Sequence, residues 1–468
     1  MEFKRFRLLI GVITALMIPG LLSACGGGWR TTHIPAPAPK QIRERVKMVS
    51  AGASDSFVIM EDGSLWGWGK ETLVSGEDRT VWDVDVRRRH IDTLDDVVAV
   101  SQGHNLTMAL TSDGTLWAWG RDVYALPNIH SISSVTVSDA SISTPVRIMD
   151  DVIVMAANSR QAVALKSDNT LWAWEHPIRV DVNDDTETRS DPISVMGDVT
   201  AVFTGADKFD VMMITSEGAL WAWNGFIRFD IDEFGNSIRK VHPSSIDRVM
   251  DDVRCVSIGH QHTTMILGSD GTLWAWDGDF AQSSDDNYTT WRRYPVLDRV
   301  MDDVVTVSSN NDRTMAITAD GSLWAWGSNK QGQLGDGTTH DRDSPVKIMD
   351  DVIDVAVGTL HTMAITSNGV LWVWGSNRSG LQTGWLGDGA MANRHSPTRI
   401  MENVICVSAG SYHSMAITAD GSLWAWGDNT YGQLGTGSNR GELEQRPYHG
   451  LLPSAWLSPI IIFEYTSD

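Results

Sequence analysis

The chain has 468 residues, with 59 Asp and Glu against 37 Lys and Arg and a formal charge of -22. Such an excess of negative charge argues against nucleic acid and anionic membrane surfaces as partners. The length admits one large repeat array or two to three ordinary domains, so internal repetition decides the architecture.

Residues 1–24 open with Lys4, Arg5 and Arg7 and continue in an uncharged apolar run from Leu8 to Leu22. That run is too short and wrongly flanked for an ordinary spanning helix and reads as a secretory signal; an uncleaved membrane anchor is the alternative. It ends in Leu22-Ser23-Ala24-Cys25-Gly26, which resembles the bacterial lipoprotein box. The resemblance implies lipidation at Cys25, export, and membrane attachment through an N-terminal lipid at the bacterial cell envelope, on the outer membrane or the cell surface. Loss of residues 1–24 would take the formal charge from -22 to about -24. Residues 25–38, with Gly26-Gly27-Gly28 and then Pro35 and Pro37, read as a flexible and then extended tether.

From residue 39 to about residue 450 the chain repeats. Leu-Trp, one small residue and a second Trp recur from Leu65, Leu116, Leu171, Leu220, Leu273, Leu323, Leu371 and Leu423, a spacing of about 51 residues. Each copy has β-branched runs and period-two alternation, as in Val404-Ile405-Cys406-Val407 and Ser414-Met415-Ala416-Ile417-Thr418, which read as strands; no helical period is present. Two-residue turns such as Asp62-Gly63, Asp113-Gly114, Asp320-Gly321 and Asn368-Gly369 precede the Trp pairs and suit hairpins that need positive φ. A fourth strand is marked by Pro145, Pro345 and Pro397, each followed by an acidic turn such as Asp350-Asp351. Four antiparallel strands per repeat make a propeller blade, so the expected fold is all-β: a closed β-propeller of four-stranded blades. Pro39-Lys40-Gln41-Ile42 has the spacing of a fourth strand and is expected to complete the last blade; residues 451–468 are set apart as a C-terminal tail.

Trp324-Ala325-Trp326-Gly327-Ser328-Asn329 continues into Gly332-Gln333-Leu334-Gly335-Asp336-Gly337, and the stretch from Trp424 to Gly437 repeats the pattern. These segments resemble the regulator of chromosome condensation repeat family. The resemblance spans residues 39 to about 437 and implies a propeller, usually of seven blades, whereas eight motif copies are present; seven and eight blades both stand at this point. Repeats two to five lack the Gly-Gln-Leu-Gly segment, and repeat seven has it interrupted between Leu381 and Trp385.

The paired tryptophans, at i and i+2 on one strand face, are expected to pack between blades. The family's Gly-x-x-His signature appears at Gly259 with His262, Gly358 with His361 and Gly410 with His413, while the aligned positions Asp55, Leu106, Gln161 and Arg313 break any uniform ligand ring. That mixture is a poor metal cage, so structural hydrogen bonding is expected and neither a metal nor a cofactor. Cys255 and Cys406 occupy one repeat position and read as small buried hydrophobes.

No nucleotide loop, nucleophile elbow or metalloprotease motif occurs, and no catalytic residues are assigned. Binding is expected instead from the variable segments after the Trp pairs, which carry Trp82, Tyr124, Phe226, Tyr288 and Trp291, with Trp385 in the interrupted loop of repeat seven. The expected function is therefore a lipid-anchored, protein-binding scaffold. Glycan binding through the same aromatics is the alternative, and a hydrolase with carboxylates in the central channel is a more distant one.

Overall fold

The computed structural model describes residues 40–42, 45–52, 55–69, 89–91, 94–103, 106–120, 142–158, 161–175, 192–205, 211–223, 227–231, 237–241, 246–259, 264–277, 296–310, 312–379, 382–390, 392–436 and 455–465. Among them there is no helix. Eight antiparallel sheets follow one another along the chain as the blades of a β-propeller, which settles the blade number at eight. The described residues fall into two compact units, residues 99–312 and residues 17–98 with 313–468.

Blade 7 shows why this sequence makes a blade. Its strands are Val352–Val357, His361–Thr366, Leu371–Gly375 and Arg394–Met401. The second and third pair in plain antiparallel register, with Ala364 opposite Trp372 and Ile365 opposite Leu371. They are joined through Asn368-Gly369, where Gly369 takes φ +78° and returns its N–H to Thr366 O at 2.8 Å. Positive φ carries no Cβ penalty for glycine, which is why it closes this hairpin. Between Val352 and Asp354 the register shifts by a bulge, and the extra residue, Ile353, is left 52 % exposed. Ile405 stands at the same bulge in blade 8 and Ile153 in blade 3.

The Trp pairs divide their work. The second tryptophan of each pair is buried, and Trp68, Trp223, Trp276, Trp374 and Trp426 pack on the preceding blade. In the unit of residues 99–312, Trp223 joins Val163, Leu165, Leu171 and Ala173, and Trp276 joins Met212, Ile214 and Leu220. In the other unit, Trp374 joins Met315, Ile317, Leu323 and Ala325; Trp426 joins Ile365, Leu371 and Val373; and Trp68 joins Met415, Ile417 and Leu423. The first tryptophan, on the same strand face, stays partly exposed. A ring of this size buried against apolar side chains removes a large apolar area from water at each such contact.

The last blade departs from expectation. Its fourth strand is the C-terminal segment Ala455–Tyr465, where a tail had been set apart, and it pairs antiparallel to Leu423–Asp428 with Leu423 opposite Phe463. Lys40–Ile42 does join this blade, but as a fifth strand lying parallel to the C-terminal one, Lys40 opposite Phe463. The C-terminal strand wins the inner position because it is eleven residues long against three and brings Ile462 and Phe463 into the core beside Trp66 and Trp68. In blade 4 the segment after the Trp pair, expected as a variable loop, contains a two-stranded hairpin of Ile227–Ile231 and Ser237–Val241.

Candidate functional site: the two ends of the blades

One end of each blade carries the acids. In the hairpins, the carboxylate at the first turn position accepts hydrogen bonds from its own turn. Asp320 Oδ1 takes the Thr318 hydroxyl at 2.6 Å and the Ser322 N–H at 2.9 Å, and Asp113 and Asp420 repeat the arrangement. These donors favour the charged form and hold Asp320 down at about 2; the Thr111, Thr170 and Thr272 donors likewise lower Asp113, Asp168 and Asp270. The turns between blades place Asp96, Asp151, Asp198, Asp252, Asp303, Asp351 and Asn403 at φ between 55° and 62°. Asp and Asn tolerate this left-handed conformation better than other residues with a side chain.

These turns are locked to the hairpins beside them. Val152 N–H donates to Gly114 O of the preceding blade, while Ser167 N–H of the same blade donates to Asp151 O. The first of these bonds recurs in every blade, from Val97 to Gly63 O through to Val46 to Gly421 O. Exposed pairs three residues apart, such as Arg147 with Asp150, Arg299 with Asp302 and Lys347 with Asp350, offset part of the charge. Each is worth little in water. The acids at this end therefore shape turns, and their negative charge is partly countered.

The opposite end holds the Gly-x-x-His turns. His413 Nε2 lies 2.9 Å from Ser56 Oγ of blade 1, and Ser56 gives its hydroxyl proton to Gln433 O at 2.8 Å. Ser56 must then accept from His413, which fixes the hydrogen on Nε2 and leaves Nδ1 a bare acceptor. His361 repeats this with Ser414, whose hydroxyl donates to Trp385 O. Both rings are fully buried, and neither Nδ1 has a partner among the described residues. Burial drives both His pKa values down to about 3; for His361 the charges of Arg313 and His413 add to it. The signature glycines follow from the same packing. A Cβ at Gly410 would sit 2.5 Å from His413 Nδ1, and one at Gly358 would sit 2.7 Å from His361 Nδ1. In blade 6 the His position is Arg313, 2 % exposed, whose guanidinium reaches forward to the carbonyls of Thr359, Gly358 and His361 at 2.8, 2.6 and 3.0 Å. The expectation of structural hydrogen bonding thus holds for His361 and His413, and Arg313 serves the same blade-to-blade purpose by different chemistry. His262 lies outside the described residues.

The Gly-Gln-Leu-Gly loops complete this end. Gln333 O accepts from Trp374 Nε1 and from Thr362 Oγ1 of the next blade, both at 3.0 Å, and Gln433 O accepts from Trp68 Nε1 and Ser56 Oγ, both at 2.8 Å. Each loop is itself pinned by a buried asparagine: Asn329 Oδ1 accepts from Leu334 N–H while its amide donates to Asp336 Oδ1 and two carbonyls. Asn377 and Asn429 likewise accept from Leu386 and Leu434 N–H, the Asn377 amide donating to Asp388 Oδ1 and Ala390 O and the Asn429 amide to Thr436 Oγ1. Sequence reasoning missed this role because the acceptor is a backbone carbonyl, which no side chain advertises. It also missed Asp428, which stands where Ser328 and Ser376 stand in the neighbouring blades. Burial raises the Asp428 pKa, and Thr430 and Gln433 hold its carboxylate.

Trp385 was expected among the exposed aromatics, and that placement is corrected: it is 0 % exposed. The short hairpin of Arg378–Ser379 and Gln382–Thr383 absorbs the interruption, after which Gly384-Trp385-Leu386-Gly387-Asp388-Gly389 resumes the loop, with Trp385 in the place of glutamine. Its ring packs against Tyr412 at 5.0 Å and its carbonyl takes the Ser414 hydroxyl. Trp82, Tyr124, Phe226, Tyr288, Trp291 and the lipidation residue Cys25 lie outside the described residues. Cys255 and Cys406 are free thiols, pushed up by burial to about 11 and about 12, which disfavours the nucleophilic thiolate form. Among the described residues no group of three or more His, Cys, Asp or Glu could hold a metal.

Repeat profiles described as "Regulator of chromosome condensation (RCC1) repeat" match residues 320–365, 368–417 and 420–454, and a second such profile matches 97–125, 304–333, 352–381 and 404–433. With the eight blades and the latching loops in place, the chain is a β-propeller that carries repeats of the regulator of chromosome condensation type over residues 97–125 and 304–454. Among curated relatives, Protein pim1 of Schizosaccharomyces pombe is 27% identical over 154 residues, which is 30% of this chain and 28% of that protein. Human Alsin is 43% identical over 56 residues, 11% of this chain and 3% of that protein. The chain thus spans under a third of the length of either relative. Among solved structures, Prp20p from Saccharomyces cerevisiae, described with its binding properties to Gsp1p and histones, has 18% identity and a TM-score of 0.48, covering 80% of this chain and 92% of that one. Human WBSCR16 has 15% identity and a TM-score of 0.47, covering 83% and 88%.

Proposed function

We propose that this propeller is a protein-binding scaffold held at the bacterial cell envelope by a lipid on Cys25. The observation that carries the reading is the contrast between loops. Those after the Trp pairs of blades 6, 7 and 8 are occupied in holding the next blade through Gln333, Trp385 and Gln433. Repeats two to five have no Gly-Gln-Leu-Gly segment there and carry Tyr124, Phe226, Tyr288 and Trp291 instead. A rigid frame bearing sequence-variable aromatic loops is how many scaffolds present a binding surface. The described buried His and Asp side chains are engaged in structural hydrogen bonds, which favours binding over catalysis as the activity of this frame.

The test is capture from envelope extract by a soluble form spanning residues 29–468. Replacing Trp82 and Trp291 by Ala should weaken capture by tenfold or more, since exposed aromatic anchors commonly contribute about 2 kcal/mol. Undiminished capture would move the site off this surface, and retention on cell-wall sugars in place of a protein would replace the reading with glycan binding. Labelling with a palmitate analogue should be lost in Cys25→Ser; persistence of label would remove the anchor from the proposal.

A further inference from the structure

We propose that Asn368 is a site of spontaneous deamidation whose isoaspartyl product loosens the joint between blades 7 and 8. Seven of the eight hairpins open with a carboxylate, Asp62, Asp113, Asp168, Glu217, Asp270, Asp320 and Asp420, and the eighth opens with Asn368. It is exposed, and the next residue is Gly369, whose backbone nitrogen is shielded by no side chain of its own. In the reaction the Gly369 nitrogen attacks Cγ of Asn368 and gives up its proton to solvent. The side-chain nitrogen takes a proton and leaves as ammonia, and water then opens the resulting cyclic imide at either carbonyl. The products are an ordinary aspartate at this position and its isoaspartyl isomer; the net change is one water gained and one ammonia lost.

Three features of the turn favour this chemistry. Asn368 Oδ1 accepts from Thr366 Oγ1 at 2.8 Å and from Val370 N–H at 3.3 Å. Both donors sit on the oxygen that becomes negative as Gly369 adds to Cγ, and such preplaced donors stabilise the charge developing in acyl chemistry. The leaving Nδ2 is held by no hydrogen bond among the described residues, since both bonds of this side chain use Oδ1. The product also already fits. At Asp320 a carboxylate accepts from Thr318 Oγ1 and Ser322 N–H, the same two donors at equivalent places. One contact acts as a brake. Gly369 N–H donates to Thr366 O at 2.8 Å, so this turn bond must open before the nitrogen can attack.

The two products differ in consequence. Aspartate leaves the backbone unchanged. Isoaspartate inserts an extra carbon into the backbone between residues 368 and 369, and Gly369 O is the acceptor of the Val404 N–H of blade 8 at 2.9 Å. A lengthened turn cannot keep both that bond and the Gly369 to Thr366 bond, so the isoaspartyl form loosens the contact where blade 8 begins.

The test ages the folded full chain at neutral and mildly alkaline pH and follows the peptide that spans residue 368 by mass and by isoaspartyl methyltransferase labelling. Conversion should rise with pH and outpace that of Asn169 and Asn403, which are followed by Thr170 and Val404 and whose attack is more hindered. Hydrogen exchange at Val404 should quicken in the isoaspartyl fraction, while Asn368→Asp should keep wild-type exchange and melting. Asn368 remaining intact in the folded chain for the time in which urea-unfolded chain converts would overturn the site. Conversion with unchanged exchange at Val404 would overturn the effect on the joint.

Discussion

Trp374 donates its indole N–H to Gln333 O of the preceding blade at 3.0 Å, and the same oxygen also takes the Thr362 hydroxyl. Trp426, its counterpart in the next blade, packs in the same way yet its Nε1 has no acceptor among the described residues, and the equivalent loop carbonyl of Trp385 takes only the Ser414 hydroxyl, at 3.2 Å. Two tryptophans of one repeat position thus differ by one hydrogen bond. Trp374→Phe should cost about 1 kcal/mol more than Trp426→Phe, the usual net worth of such a bond, when the two variants are compared by urea unfolding. Equal losses would mean that ring packing alone decides the contact.

The two strands that finish blade 8 give a second comparison. The C-terminal strand supplies Ile462 and Phe463 to the core and pairs with the Trp strand of its blade, whereas Lys40–Ile42 adds three residues at the outer edge. Deleting residues 455–468 should lower the melting temperature far more than deleting residues 29–42, because the first takes Ile462 and Phe463 out of the core and leaves the Leu423–Asp428 edge unpaired. A larger drop for the N-terminal deletion would reverse the assignment of the closing strand.

Acid should act on the seams at His361 and His413. Both are neutral in the folded chain, with pKa lowered from 6.5 to about 3, so the unfolded chain binds more protons throughout that interval. The stability they leave intact above pH 6.5 is therefore lost progressively as pH falls from 6.5 toward 3. Replacing both by Gln, whose amide can still donate to Ser56 and Ser414, should flatten this part of the stability profile even if neutral stability drops. An unchanged slope would place the acid sensitivity in other groups.

How far the sequence could be read depends on what kind of group does the work. The Leu-Trp-x-Trp period, the Asp-Gly turns and the acidic turns between blades were legible because side-chain identity sets hairpin geometry and strand alternation, and the eight blades follow from them. The closing strand was misplaced because Pro39 to Ile42 has the right spacing, while the competing strand carries no repeat signature and is recognised only by its apolar run. Trp385 was misread because an insertion hid its alignment with Gln333, whose contribution is a backbone carbonyl that any residue can supply. Arg313 and Asp428 replace a histidine and a serine, and only the packing shows that each is still buried in a joint.

The acidic turns between blades allow conformation and charge to be separated. Asp151, Asp252 and Asp351 have φ of 62°, 56° and 61°, and in the last such turn Asn403 holds 57° without a charge. Asparagine is thus already accepted at this position, and each turn is fastened by its backbone, through Val152 to Gly114 O, Val253 to Gly218 O and Val352 to Gly321 O. The triple change of these three Asp to Asn should leave the melting temperature nearly as it is. The triple change to Ala should cost roughly 1 kcal/mol at each turn, since alanine pays the full steric penalty of the left-handed conformation. If charge mattered more than conformation, the Asn variant would instead be stabilised at low salt, where repulsion within the acidic end is least screened, and the gain would fade as salt is added. Melting curves of the two triple variants at low and high salt separate these outcomes. Similar losses for Asn and Ala would show that the carboxylates make contacts beyond shaping the turn.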